Sequence, residues 1–136
     1  MSAIEQIEKN KLLVRRLYEE CINQDKLELL TELIATDFVD GHGKGGFAEF
    51  ENGIKAVRAG FPDVKFAVED LIGEGNRIAV RWTFQGTHTG TFASTAPSHK
   101  KVTQIGNVIF EILNGRIVQA WVQVDRLGLL QQINAL

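Results

Sequence analysis

VTQIGNVIFEILNGRIVQAWVQVD, residues 102–125, is the stretch that decides the fold. Val102 to Leu113 and Ile117 to Val124 are rich in β-branched and aromatic residues, and Asn114-Gly115 between them is a hairpin turn. Two long strands joined this way lie antiparallel. With a two-residue loop, Leu113 pairs with Arg116. Counting outward sets Gln104 against Asp125, Gly106 against Gln123 and Val108 against Trp121. Paired residues share a sheet face, so this register groups Trp121, Gln123, Asp125 and Gln104. Val118, Ala120, Val122, Val124, Ile105 and Ile109 fall on the other face. A slip of one residue would undo the grouping.

Upstream, the period of two continues. Val64, Phe66 and Val68 alternate with Lys65, Ala67 and Glu69, and Glu74-Gly75-Asn76 makes a turn. Ile78, Val80, Trp82 and Phe84 alternate with Arg81, Thr83 and Gln85. A loop near residues 90–100 carries Pro97. The first half of the chain has a helical period instead. Residues 3–23 put Ile7, Val14, Leu17, Tyr18 and Cys21 on one side. A second short helix runs from Lys26 to about Ala35. A third runs from Phe47 to Ala59 and stops at Gly60 and Pro62. Between the last two, residues 37–40 read as a short strand and GHGKGG, residues 41–46, as a turn. Asp125 ends the last strand, and Gly128 with Leu129-Leu130 follows as an apolar tail. Helices followed by four long strands specify an α+β fold, with the helices on one face of a curved, mostly antiparallel sheet.

The 136 residues make a single domain, 1–136, of ordinary globular composition: 44% hydrophobic and 24% charged. The net charge of −2 offers no basic patch for nucleic acid and no Lys/Arg run for a membrane surface. A single cysteine, Cys21, excludes an internal disulfide. Residues 1–20 lack the apolar centre of a signal peptide, and no apolar run reaches the ~18 residues of a membrane span. A cytoplasmic protein is expected.

Asp125 is the first candidate for chemistry. A carboxylate beside apolar side chains has its charged form disfavoured, which suits a general base. Trp121 would form the wall and Gln104 would orient the carboxylate. The plainer reading is a strand-end Asp turned to water. His88, in GTHTG, is in phase with Trp82 and Phe84 and reaches the same hollow if that face is inward; otherwise it is a locally bonded strand-end His. His42 lies in the glycine turn and His99 beside two lysines. Tyr18, on the apolar side of the first helix, could donate to a carbonyl oxygen. Asp40 is a second possible base. No spacing of His and Cys suits a metal, and neither a phosphate-binding loop nor a nucleophile elbow is present. No cofactor or metal is expected.

NKLLVRRLYEECINQDKLELLTELIATDFVD (10–40), FPDVKFAVEDLIGEGNRIAVRWTFQGTHTGTF (61–92) and IVQAWVQVDRLGLLQQI (117–133) together resemble the SnoaL-like polyketide cyclases and their ester cyclase relatives, of the nuclear-transport-factor-2-like superfamily. The resemblance implies a cone-shaped α+β barrel with a deep apolar pocket, dimerised through its sheet. It implies an Asp in the last strand as acid/base for an intramolecular aldol closure, and Asp125 in WVQVD occupies that position. His88 would join it in catalysis, with Tyr18, Trp82, Gln104, Trp121, His42 and Asp40 holding the substrate. The expected ligand is a small apolar carbonyl compound, and the reaction needs no cofactor because neighbouring carbonyls delocalise the enolate. Two other readings stay open: a ketosteroid-isomerase-like proton shuttle with Asp40 as base and Tyr18 as oxyanion donor, and a domain that only holds a ligand. Two loops depart from the family pattern. GHGKGGFAEF (41–50) is short, and ASTAPSHKK (93–101) lacks the common glycine before the lysine.

Overall fold

The computed structural model describes residues 1–135. Helix α1 (Ala3–Arg16) is capped by Ser2, whose hydroxyl accepts from the Glu5 N–H at 3.1 Å. It runs on as a π-helical turn, Leu17–Ile22, that buries Leu17, Tyr18, Cys21 and Ile22 together. The wider turn holds two adjacent pairs of side chains on the core side. The second helix is shorter than its period suggests. A 3₁₀ turn at Leu27–Leu29 leads into α2 (Leu30–Leu33). The chain is already extended at Ile34 and forms strand β1 (Ile34–Asp40). A parallel partner strand explains the early switch, with Ile34 beside Ile117 and Asp40 beside Ala120.

Helix α3 (Phe47–Gly60) follows, then β2 (Lys65–Glu74), β3 (Arg77–Thr87), β4 (Lys101–Leu113), β5 (Arg116–Val124) and α4 (Arg126–Gln132). The five strands form one open mixed sheet in the order β1-β5-β4-β3-β2, antiparallel except for β1 against β5. This is the expected α+β architecture, with an open sheet in place of a closed barrel. No helix is long and apolar enough to cross a membrane.

The hairpin begins as expected, with Leu113 against Arg116 and Ile112 against Ile117. A bulge then puts Val118 out of register, so Glu111 pairs with Gln119, Ile109 with Trp121 and Gly106 with Val124. Each strand alternates as expected, but their faces are matched the other way round. Gln104, Val108 and Phe110 look inward with Ala120, Val122 and Val124. Trp121 and Gln123 look outward with Ile105 and Ile109. The expected grouping of Gln104 with Trp121 is therefore wrong by one residue, and the extra residue is the cause. The tail after Asp125 is also more than a tail. It is α4, whose Leu129 is buried and whose Gln132 side chain bonds both backbone groups of Thr103.

The inward face and the helices enclose a core of linked rings. Tyr18 lies 5.4 Å from Phe66 and 6.2 Å from Phe110, and Phe66 lies 4.7 Å from Trp82 and 5.4 Å from Phe84, between ring centroids. Such pairs add to area burial by roughly 0.5–1.5 kcal/mol each.

Candidate functional site

Three polar side chains are buried in this apolar interior: Asn10, His88 and Gln104. Asn10 accepts from the Gln6 side chain. The other two point inward from β4 and from the end of β3, and each keeps an unpaired atom. Nε2 of Gln104, Nε2 of His88 and Nε1 of Trp82 are buried without a hydrogen-bond partner. A buried donor left unpaired costs about 1–3 kcal/mol, and native interiors hold few of them.

All three are donors. The Trp82 indole and the Gln104 amide nitrogen have no other role. For His88 the tautomer follows from its neighbours: the Ser98 N–H donates to Nδ1 at 3.1 Å, so Nδ1 accepts and the proton sits on Nε2. Ser98 Oγ lies a further 2.8 Å from the same nitrogen. Ser98 went unremarked in the sequence because only the loop's return places it there.

Trp82 and Gln104 are neighbours. Trp82 pairs with Gly106 and Phe84 with Gln104, so the two polar groups sit on adjacent inward positions of β3 and β4. Gly106 is what lets the indole lie flat on the sheet: a methyl there would overlap Trp82 Cζ2 and sit 2.6 Å from Cη2. The next strand offers Val124 beside Gly106 and Val122 beside Val108. Val122 looks inward yet is 48% exposed, so the concave face is open at this end. Tyr18 stands 6.3 Å from the Trp82 ring. Burial pushes its phenol well above the usual value, and the indole N–H near its oxygen acts in the opposite direction without closing a good hydrogen bond. At neutral pH Tyr18 is a neutral donor.

His88 lies apart. Six residues of β-strand separate it from Trp82, about 20 Å, and the Phe61 ring stands between, 5.5 Å from His88 and 5.2 Å from Phe84.

Asp125 caps α4. Its Oδ1 accepts from the Gly128 N–H at 3.0 Å, and its own N–H donates to the Ile105 carbonyl. It is exposed at the rim, not sharing a wall with Trp121. That tryptophan lies on the convex face, packed on Gly41 and under the Arg77 guanidinium at 4.7 Å. Asp40 is a loop clamp. Its two carboxylate oxygens accept from the N–H groups of His42, Lys44 and Gly45 at 2.8, 3.1 and 2.7 Å. His42 is exposed in that loop. Tyr18 and Asp40 are not in contact, so the pairing of Asp40 as base with Tyr18 as donor has no support in the geometry. Cys21 is inert packing; burial first, then Glu28 and Asp25, pushes its thiol up to about 11. Among the described residues no cluster of His, Cys, Asp or Glu could hold a metal ion.

The backbone N–H groups, that of Lys44 foremost, hold the Asp40 carboxyl below its usual range. A folded-state pKa lowered in this way stabilises the loop above the unfolded value of about 3.9. That contribution is lost as pH falls through the lower folded value. The amide resonances of His42, Lys44 and Gly45 should therefore titrate together in NMR with a midpoint below about 3.9. A midpoint at or above that value would mean the clamp is not formed in solution.

The described grooves lie elsewhere. One of about 690 Å³ runs between α1 and the turns at Asn76 and Asn114. Another of about 400 Å³ crosses the convex face between Ile72, Ile109 and Trp121.

The profile of the SnoaL-like polyketide cyclases matches residues 12–133. Solved structures agree. IdmH from Streptomyces antibioticus, described as a candidate polyketide cyclase, is 27% identical, covers 92% of this chain with 98% of its own and superposes with a TM-score of 0.80. A candidate SnoaL-like cyclase from Jannaschia sp. is 21% identical over 95% of this chain and 94% of its own, with a TM-score of 0.84. A third, from Acidithiobacillus ferrooxidans, is 22% identical over 93% and 95%, with a TM-score of 0.81. At those two identities the likeness concerns the fold alone. No protein of curated function matches the chain. With the match running from α1 through α4, and the open sheet and helices superposing on these structures, the chain belongs to the SnoaL-like polyketide cyclase family.

Proposed function

We propose that the protein binds a small apolar carbonyl compound on the concave face and promotes its ring closure there. The observation that carries this reading is the pair of donors on neighbouring strands, Trp82 Nε1–H and Gln104 Nε2–H, buried without closing a hydrogen bond to any described residue. A carbonyl oxygen supplies the missing acceptor, and an enolate oxygen accepts more strongly. Val122, Val124 and the face of the Trp82 ring give the apolar bed. Asp125 at the rim is the proton acceptor. It removes a proton from a carbon next to the bound carbonyl. The carbanion attacks a second carbonyl carbon, one C–C bond forms, and the resulting alkoxide takes the proton back from the Asp125 carboxylic acid.

The donors are tested by Gln104→Met, which keeps length and removes both polar atoms. The unliganded variant should melt higher, by about 3 °C for each kcal/mol of relieved desolvation. It should also bind methyl 4-oxo-4-phenylbutanoate, a stable aromatic ketone, about tenfold more weakly in calorimetry. A lower melting temperature, or unchanged affinity, would remove the donor pair from the argument.

A second reading has its own support: among the described residues no carboxylate is buried in the interior, and Asp125 is engaged in a helix cap. On that reading the site holds its ligand without chemistry.

The same reading includes a homodimer through the convex face. Ile72, Ala79, Ile109 and Trp121 form one cross-strand row there, and Ile72, Ile105 and Ile109 are exposed. A second copy covers such a patch by two-fold symmetry. Light scattering at micromolar concentration should give about twice the 15.1 kDa chain mass, and Ile109→Glu should halve it. A monomeric wild type would count against the dimer.

A further inference from the structure

Arg126 opens α4, directly after the strand whose inward face carries Val122 and Val124. Its guanidinium lies over the Phe92 ring, 5.2 Å from the centroid. Phe92 packs on Phe61 at 5.1 Å, Phe61 on Phe84 at 5.2 Å, and Phe84 is the strand partner of Gln104. The cation therefore stands at the outer end of a ring stack whose inner end is the donor pair.

Among the described residues Arg126 has no counter-ion. Most of the other arginines do: Arg81 pairs with Asp70 at 2.7 Å, Arg58 with Asp25 at 3.0 Å, Arg15 with Glu19 at 3.0 Å and Arg16 with Glu32 at 3.3 Å, while Arg116 donates to the Thr31 carbonyl. Among the described residues no carboxylate lies within ion-pair distance of Arg126, and its neighbour Asp125 is turned back onto Gly128. Arg126 is exposed at the rim, and partial desolvation by its neighbours lowers its pKa with no charged neighbour opposing. Desolvating a cation without a partner is unfavourable, and a guanidinium fork is shaped to take a carboxylate through two parallel hydrogen bonds.

The functional groups along this path are of one kind. Trp82, Gln104 and His88 offer donors and Arg126 offers donors and charge. The atoms left unpaired among them, Trp82 Nε1, Gln104 Nε2 and His88 Nε2, are all donors. We propose that Arg126 recognises a carboxylate on the ligand, so that the site takes a free keto acid in preference to the corresponding ester. This rests on the concave face being the ligand site and adds the charge of the ligand to it. The ketone oxygen goes to the donor pair and the carboxylate remains at the rim over Phe92, where Lys would supply charge but not the planar fork.

The test uses the full chain with 4-oxo-4-phenylbutanoate and its methyl ester, titrated calorimetrically. The acid should bind the wild type about 10–100-fold more tightly than the ester, the range expected of a charge-assisted hydrogen bond. Arg126→Met should erase that difference and leave ester affinity unchanged. Arg126→Lys should restore part of it. The preference for the acid should shrink as sodium chloride is raised, because a rim charge is screened. Equal binding of acid and ester by the wild type overturns the proposal while leaving the concave site in place. So does an Arg126→Met variant that weakens both ligands alike, since Arg126 would then only cover Phe92. If the wild type binds neither probe, the concave-face reading falls and this proposal with it. The wild-type comparison stands even if a variant fails to fold.

Discussion

Asp125→Asn should lower proton exchange next to the ketone of methyl 4-oxo-4-phenylbutanoate by about 10²–10⁴-fold, the usual cost of removing a general base, with the melting temperature almost unchanged. The assay follows loss of the proton NMR signal in deuterium oxide and needs no knowledge of the natural substrate. The structure makes this substitution unusually clean. Asp125 is the N-cap of α4, its Oδ1 accepting from Gly128, and Asn serves as an N-cap about as well as Asp. Asn therefore keeps the cap and removes the base. Asp125→Ala removes both and should in addition lose about 1 kcal/mol of stability. Exchange that is slow in the wild type, or equal in wild type and Asp125→Asn, would leave the holding reading as the better one. Exchange lost in Asp125→Asn together with a large drop in melting temperature would mean that the carboxylate is structural.

Gly106→Ala should be among the most damaging single-methyl changes in the chain. The added carbon would overlap Trp82 Cζ2 and approach Cε2 to 2.8 Å. The indole cannot simply retreat, because Phe66 stands 4.7 Å away on one side and Tyr18 6.3 Å away on another. Overpacking of this kind costs about 1–3 kcal/mol, or a fall of roughly 3–9 °C in melting temperature at this chain length. Displacing the ring also moves Nε1 away from Gln104 Nε2, so affinity for the ketone should fall by more than tenfold, beyond what Gln104→Met alone removes. A variant with wild-type melting and binding would show that the indole does not lie over Gly106 in solution.

The sheet was legible because period-two alternation runs unbroken through β3 and β4, and Asn114-Gly115 marks its hairpin without ambiguity. What the sequence hides is the match between strands. A bulge has no composition of its own here: Val118 is as good a strand residue as its neighbours, and only the pairing of Glu111 with Gln119 reveals that it is extra. The end of α2 was hidden for a similar reason, since Ile34 fits a helical stripe but gains a parallel partner in Ile117. Helix α4 was legible in principle. Asp125 before Arg-Leu-Gly-Leu-Leu-Gln-Gln fits an N-cap signal, and the glycine in its first turn obscured it. In the site, Tyr18, Trp82 and Gln104 were named from alternation and the helical stripe, and the fold brings them together. The parts played by Gly106, Ser98 and Arg126 leave no such signal. Their roles depend on what faces them, and those partners come from distant parts of the chain.

The bulge at Val118 carries a consequence for comparing this chain with its relatives. The inside and the outside of the sheet differ in chemistry, yet which residues of β5 face inward depends on a count: one residue more or fewer between Leu113 and Trp121 exchanges the two sets. A relative lacking that residue would turn Trp and Gln at the positions of Trp121 and Gln123 into its cavity and expose the valines instead. Two members aligned column by column could then agree in sequence through this strand while their interiors are built from complementary halves of it. For β5, functional residues should be transferred between members only after the bulge has been located in each.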